Sequence, residues 1–269
     1  MSKGFVVFSF ASAVLLVYLF VNAPPPLPEA SANGSESVPV GALFEICAAE
    51  NAQVRELYTR EIVGAGKKAG LAFDEKWKEP RLDAGPLPAL FLRETAERLA
   101  RSDARLGLFL GSDYPISAAN RFTGAQAEAF DQMRRDEKPR HFELPEGGVH
   151  AAMFPDVAVA AACIDCHNEH EKSPKRDWKL GDIMGATTFT YPASHVSAAE
   201  ALRVITALRR SFFQTYSAYT DKAKTFASPP TIGAQWPTSG YYLPAPDRFL
   251  GQAEERASRA TLARLLAAR

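Results

Sequence analysis

The ten residues AACIDCHNEH, 161–170, hold two of the chain's three cysteines and two of its five histidines. Whatever this chain folds into must present Cys163, Cys166 and His167 side by side. Cys-x-x-Cys-His is the attachment signature of a c-type haem. The spacing has a mechanical reason: two thiols three positions apart reach the two vinyl groups on one porphyrin edge. The next residue, a histidine, then points its imidazole at the iron from the proximal side. One covalent haem c is therefore expected, on Cys163 and Cys166, with His167 as the proximal iron ligand. Other uses of the cluster ask for more. A thioredoxin-like redox pair wants a helix opening inside a βαβ pattern. A disulfide between Cys163 and Cys166 leaves His167 without a role. Zinc held by Cys163, Cys166, His167 and His170 lacks the second ligand pair such sites use.

The N-terminus points to export. From Gly4 to Ala23 the run GFVVFSFASAVLLVYLFVNA carries no charge. About 20 helical residues match the hydrocarbon thickness of a bilayer. A cleaved signal segment is the alternative, but its apolar part is usually shorter, and Pro24 to Pro26 make a poor cleavage context. Residues 1–23 are read as a membrane anchor, with Lys3 inside and the body on the periplasmic side of the inner (cytoplasmic) membrane. Residues 24–39, PPPLPEASANGSESVP, have the composition of a disordered linker. Haem c is attached outside the cytoplasm, so motif and leader agree.

Along the body, Leu43, Cys47, Val54, Tyr58 and Ile62 fall near one face of a helix over Leu43–Val63, with Cys47 on its buried side. A second helix is expected over about Pro88–Ser102. LGLFL, RHFEL and VHAAMF, between Arg105 and Pro155, read as strands and loops, and TTFTY (187–191) as another strand. Ser197-Ala-Ala-Glu200 is a capping box opening a helix to about Phe226, and a last helix covers about Asp247–Ala268. The fold class is α+β, an antiparallel sheet with flanking helices. Residues 40–192 are read as the haem-binding domain and 193–269 as a helical extension.

A six-coordinate haem needs a second axial ligand. The candidates are Cys47, Met153, Met184, His141, His150, His170 and His195. Met153 and Met184 sit in apolar runs and suit core filling. His170 is too near His167 to reach the opposite haem face, and His195 lies in a loop. Cys47 is an odd thiol in an oxidising compartment, and a buried inert cysteine is an equal reading of it.

Cys47 in the first helix, AANRF around Asn120, FPDVAVAAACIDCHN (154–168) and SPKRDWKLGDIMG (173–185) stand in an order that resembles a known family. This is the c-type haem-binding PAS-like domain family, of the photosynthetic-membrane cytochrome type, long catalogued as a domain of unknown function. The resemblance covers about Leu43 to Pro192. It implies a PAS-like sheet, with haem between the motif histidine, His167, and a helix cysteine, Cys47. Around Asn120 the sequence departs from the family's Arg-Asn-Pro run. Within the third stretch, Trp178 could pack on the haem edge, and Lys175 or Arg176 could pair with a propionate.

Lys plus Arg and Asp plus Glu each number 31, which removes any global electrostatic argument for nucleic acid. No Gly-rich phosphate loop or Gly-x-Ser-x-Gly elbow is present, and no catalytic constellation stands apart from the haem site. The expected function is a redox or gas sensor module, or a redox partner subunit, signalling through a protein partner. A single-haem electron-transfer cytochrome is the alternative.

Overall fold

The computed structural model describes residues 37–145, 147–233, 235–237 and 243–267. The expected anchor, 1–23, and the linker as far as residue 36 lie outside the described residues. Among the described residues no helix is long and apolar enough to cross a membrane.

The chain is a mixed α/β structure. Strand β1 (Ser37–Pro39) leads into helix α1 (Val40–Leu57), a π-helical segment (Tyr58–Gly64) and the short α2 (Ala65–Lys68). Strands β2 (Ala72–Asp74) and β3 (Ala84–Pro86) pair in parallel before α3 (Pro88–Ala100). Then come β4 (Gly107–Gly111), α4 (Gly124–Asp136), β5 (Arg140–Leu144) and β6 (Val149–Val157). Helix α5 (Ala161–Glu169), β7 (Ile183–Tyr191) and β8 (His195–Ser197) follow. Helix α6 (Ala198–Ala223), β9 (Ile232–Gly233), β10 (Leu243–Pro244) and α7 (Pro246–Ala267) close the chain.

The central sheet is antiparallel, in the order β4-β7-β6-β5. Its faces separate by the two-residue alternation of a strand. Ala152 and Phe189 join α1, α3, α6 and α7 in the main core. Their neighbours Met153 and Ala186 pack with Phe130 and Met133 of α4 on the other side. Strand β7 lies between β4 and β6 and is buried on both faces, so TTFTY is a continuous apolar and β-branched run rather than an alternating one.

Local chemistry explains the helix ends. Pro88 starts α3 at a position where its missing N–H costs nothing. The Ser197 hydroxyl accepts from the Glu200 N–H at 3.1 Å and caps α6. Helix α4 stands where strands and loops were expected. Only Ala129, Phe130 and Met133 are buried along it, so its apolar stripe is too narrow to show as a period.

Two boundaries moved. Ser37–Pro39, at the end of the expected linker, pairs in register with His195–Ser197, so His195 lies on an edge strand instead of a loop. The helices after residue 193 are part of the main core rather than an appendage. Phe249 of α7 stacks on Tyr216 of α6 at 4.1 Å, and Tyr58 stacks on Phe91 at 4.2 Å.

Candidate functional site

The motif lies on α5, a nine-residue helix between two antiparallel neighbours, β6 and β7. That is not the parallel βαβ setting a thioredoxin-like pair would use. A bulge at Asp156/Val157 ends the regular β6–β7 pairing just before it. Bulges re-aim the chain where a ladder must stop. Beyond it, Ala158 donates to the Asp182 carbonyl at 2.9 Å and accepts from Gly181 at 3.0 Å. The turn before α5 is thus tied to the turn before β7. Gly185 is required by the same crowding, because a Cβ there would stand 2.4 Å from the Gly111 carbonyl oxygen.

Helix α5 has no side-chain N-cap, and its outer end is held from the opposite loop. The Asn168 amide donates to the Trp178 carbonyl at 3.0 Å and accepts from the Trp178 N–H at 2.9 Å. This two-pronged staple carries Trp178 into a small cluster with Ala158 and Met184, against which Cys163 and Ile164 pack. Sequence reasoning named Trp178 but missed Asn168, although Asn168 directly follows His167. Nothing in the sequence singles out its bonding partner.

Cys163 and Cys166 are free thiols, both half-exposed. Partial burial raises the Cys166 thiol, with the negative charge of Glu75 adding to it. Glu75 also lies 3.2 Å from His170, so the segment after β2 covers one flank of the motif. Partial burial lowers His167; the charge of Asp156 opposes this and His170 reinforces it. The imidazole is therefore held toward its neutral, ligand-competent form. Its Nδ1 is buried with no hydrogen-bond partner, as is Nε1 of Trp178. Two unpaired thiols beside a neutral imidazole with an unmet polar atom fit the donor set that a c-type haem requires.

Cys47 is fully buried on α1 and unpaired. Burial pushes its thiol far up, and the charge of Glu50 pushes in the same direction. It belongs to the main core, whereas Cys163 packs against the separate Trp178 cluster. The two cysteines are therefore not gathered into one apolar cluster. A seam connects their neighbourhoods. Asn51, one turn beyond Cys47, donates a long 3.5 Å bond to the Thr187 hydroxyl. Arg55, one turn further, pairs with Asp156, the carboxylate that acts on His167. Oδ1 of Asn51 and Oγ1 of Thr188 are buried and unpartnered in this part of the structure. The π-helical segment that continues α1 packs against α5. Tyr58, Thr59, Ile62 and Val63 are its buried positions, two adjacent pairs one turn apart.

The remaining candidates are dispersed. Met153 is fully buried among α4 residues on the face away from Cys47. Met184 lies in the Trp178 cluster beside Cys163. His150 faces Glu143 at 3.4 Å and His141 faces Glu45 at 3.6 Å. Lys175 lies 4.6 Å from the Trp178 ring centre and pairs with Asp177. Arg176 donates to the Glu171 carbonyl at 2.8 Å. Both cations are engaged within their own loop. Among the described residues no three His, Cys, Asp or Glu side chains converge closely enough to hold a metal ion by themselves.

A family model described as Tll0287-like matches residues 42–192, from α1 to just past β7. No curated protein and no solved structure matches the chain.

Proposed function

The chain belongs to the Tll0287-like family, and on that premise we propose a membrane-anchored c-type haem protein that faces the periplasm. It acts as a redox or gas sensor module, or as the redox partner subunit of a larger assembly. The observation that carries this reading is α5 itself: two unpaired, reachable thiols at its third and sixth positions, followed by a part-buried imidazole whose Nδ1 has no hydrogen-bond partner. The antiparallel order β4-β7-β6-β5, with α1 and α4 on opposite faces, supports the PAS-like description.

When bound, the haem would supply a one-electron redox centre. Cys163 and Cys166 would hold it through thioethers, each formed by addition of the thiol S–H across a vinyl group with no oxidant, and His167 would bind its iron. Trp178, stapled by Asn168, keeps water from the side of α5 that Cys163 faces. Lys175 and Arg176 would have to leave Asp177 and the Glu171 carbonyl to meet a propionate, which makes them secondary candidates. Cys47 is the proposed distal ligand. Its burial keeps it protonated in the absence of metal, so the thiolate would form only under the metal's charge. The uncharged run from Gly4 to Ala23 is the proposed anchor in the cytoplasmic membrane, and an exported signalling or redox protein is the proposed partner.

The test is expression in a host that has the haem-attachment machinery. One haem mass on the peptide containing Cys163 and Cys166 is expected, and a colourless protein overturns the proposal. Spectra of both redox states, with and without carbon monoxide, separate the two roles. Ligand exchange on reduction marks a sensor, and an unchanged six-coordinate spectrum without a carbon monoxide adduct marks an electron carrier. Cys47→Ala should keep the covalent haem and lose the thiolate-type ferric spectrum.

A further inference from the structure

Far from the motif in sequence, α3 and α6 border a cleft of about 290 Å3 lined by Arg98, Arg101, Ser102, Arg210, Ser211 and Gln214. Arg98 lies in the last turn of α3 and Arg101 caps its C-terminal end, while α6 supplies Arg210 and Gln214, one turn apart. Three guanidiniums line the cleft, and among the described residues no carboxylate does. Elsewhere this chain meets a guanidinium between helices with an acid: Arg209 pairs with Glu50, and Arg256 pairs with Glu61 of the π-helical segment. Among the described residues Arg98 and Arg210 make no ion pair, and Arg101 has only an exposed contact with Glu97 at 3.8 Å. Nε of Arg98 is buried without a hydrogen-bond partner. Arg101 and Arg210 are exposed, so water solvates them, but like charge gathered beside a buried unmet donor favours an anion that bonds to both.

The hydroxyls help to define the ligand. Ser102 donates to the Leu99 carbonyl at 2.7 Å and Ser211 to the Ala207 carbonyl at 2.8 Å, so both protons are spent within their own helices. Recognition falls to the guanidinium forks and the Gln214 amide, approaching from two helices. A carboxylate offers two oxygens in one plane and satisfies one fork. A phosphate group offers oxygens in several directions and can meet forks from both sides. We infer that the α3–α6 cleft binds a phosphate group, carried either by a soluble phosphomonoester or by a phospholipid headgroup. This site is independent of the motif on α5.

The full-length chain in neutral detergent is titrated calorimetrically with inorganic phosphate, glycerol 3-phosphate and dihexanoyl phosphatidylglycerol. Saturable binding of at least one is expected. Preference for the first two identifies a soluble ester, and preference for the lipid identifies a headgroup. Replacing two guanidiniums, in Arg98→Gln/Arg210→Gln, should weaken binding by about a hundredfold or more. Saturating ligand should also slow phenylglyoxal modification of Arg98 and Arg210 in the unsubstituted protein, which locates the site even if the variant fails to fold. No saturable binding by any of the three ligands overturns the inference. So does unchanged affinity in a folded double variant, or ligand that leaves the labelling of both arginines untouched.

Discussion

Cys47 and Cys163 occupy neighbourhoods of opposite build. Around Cys47, α1, α3, α6 and α7 close over one face of the sheet, with Tyr58, Phe91, Phe212, Tyr216 and Phe249 all fully buried. Around Cys163 the buried apolar cluster among the described residues is Ala158, Trp178 and Met184, and two buried ring nitrogens there, on His167 and Trp178, lack partners. The first region is stable through its own burial. The second depends on staples such as the Asn168–Trp178 pair, because it has too little apolar mass to order itself.

Thiol reactivity should show the contrast most strongly. In protein made without haem attachment, Cys47 should react with iodoacetamide at pH 8 at least about a thousandfold more slowly than Cys163, since it needs an opening of the core. Cys166 should also lag behind a free cysteine, because its raised thiol leaves less thiolate at that pH. Mass spectrometry of the three cysteine peptides measures this, and equal rates at Cys47 and Cys163 would erase the distinction.

Next in size is the aromatic core. Phe91→Ala should lower unfolding stability by about 3–5 kcal/mol in urea melts. Ile164→Ala, at a half-buried position beside the motif, should cost under about 1.5 kcal/mol in haem-free protein. Similar losses at both sites would mean that the motif end carries a core of its own.

Arg209→Ala tests how the C-terminal helices are joined to α1. It leaves Glu50, which is 5% exposed, without its guanidinium. Breaking a buried pair costs several kcal/mol, and the partial exposure of Arg209 reduces this to about 2 kcal/mol. The loss should be smaller for Arg209→Lys, and a neutral Arg209→Ala would detach the C-terminal helices from this account.

The smallest effect is expected at the Arg105–Tyr191–Glu200 triad. Hydrogen bonds from Tyr191 and Arg105 hold the Glu200 carboxyl below its ordinary value. Its contribution is complete above the unfolded-state value and disappears as the pH falls through the lowered folded-state value. Glu200 is partly exposed and its partner Arg105 is exposed, so solvent screens the interaction and Glu200→Gln should flatten the acid limb of stability by no more than about 0.5 kcal/mol. A larger change would mark a coupling beyond this triad.

The sequence by itself determined the parts that depend on local chemistry. Helical spacing placed Cys47 on the buried side of α1, the capping box set the start of α6, short apolar runs located β4, β5 and β6, and the β-branched run TTFTY located β7, because period and turn residues act within a few positions. The motif's spacing and the uncharged leader likewise pointed to an exported haem protein, a reading that still rests on the chemistry of those residues. Only the tertiary structure decided which distant groups meet. It put Asn168 against Trp178, Arg55 against Asp156 and Arg209 against Glu50, and it brought Ser37–Pro39 and the last two long helices into the main body. The side-chain pairs among these join residues up to 159 positions apart. No local preference encodes such a partner; it follows from the burial of whole faces, which only the assembled fold brings together.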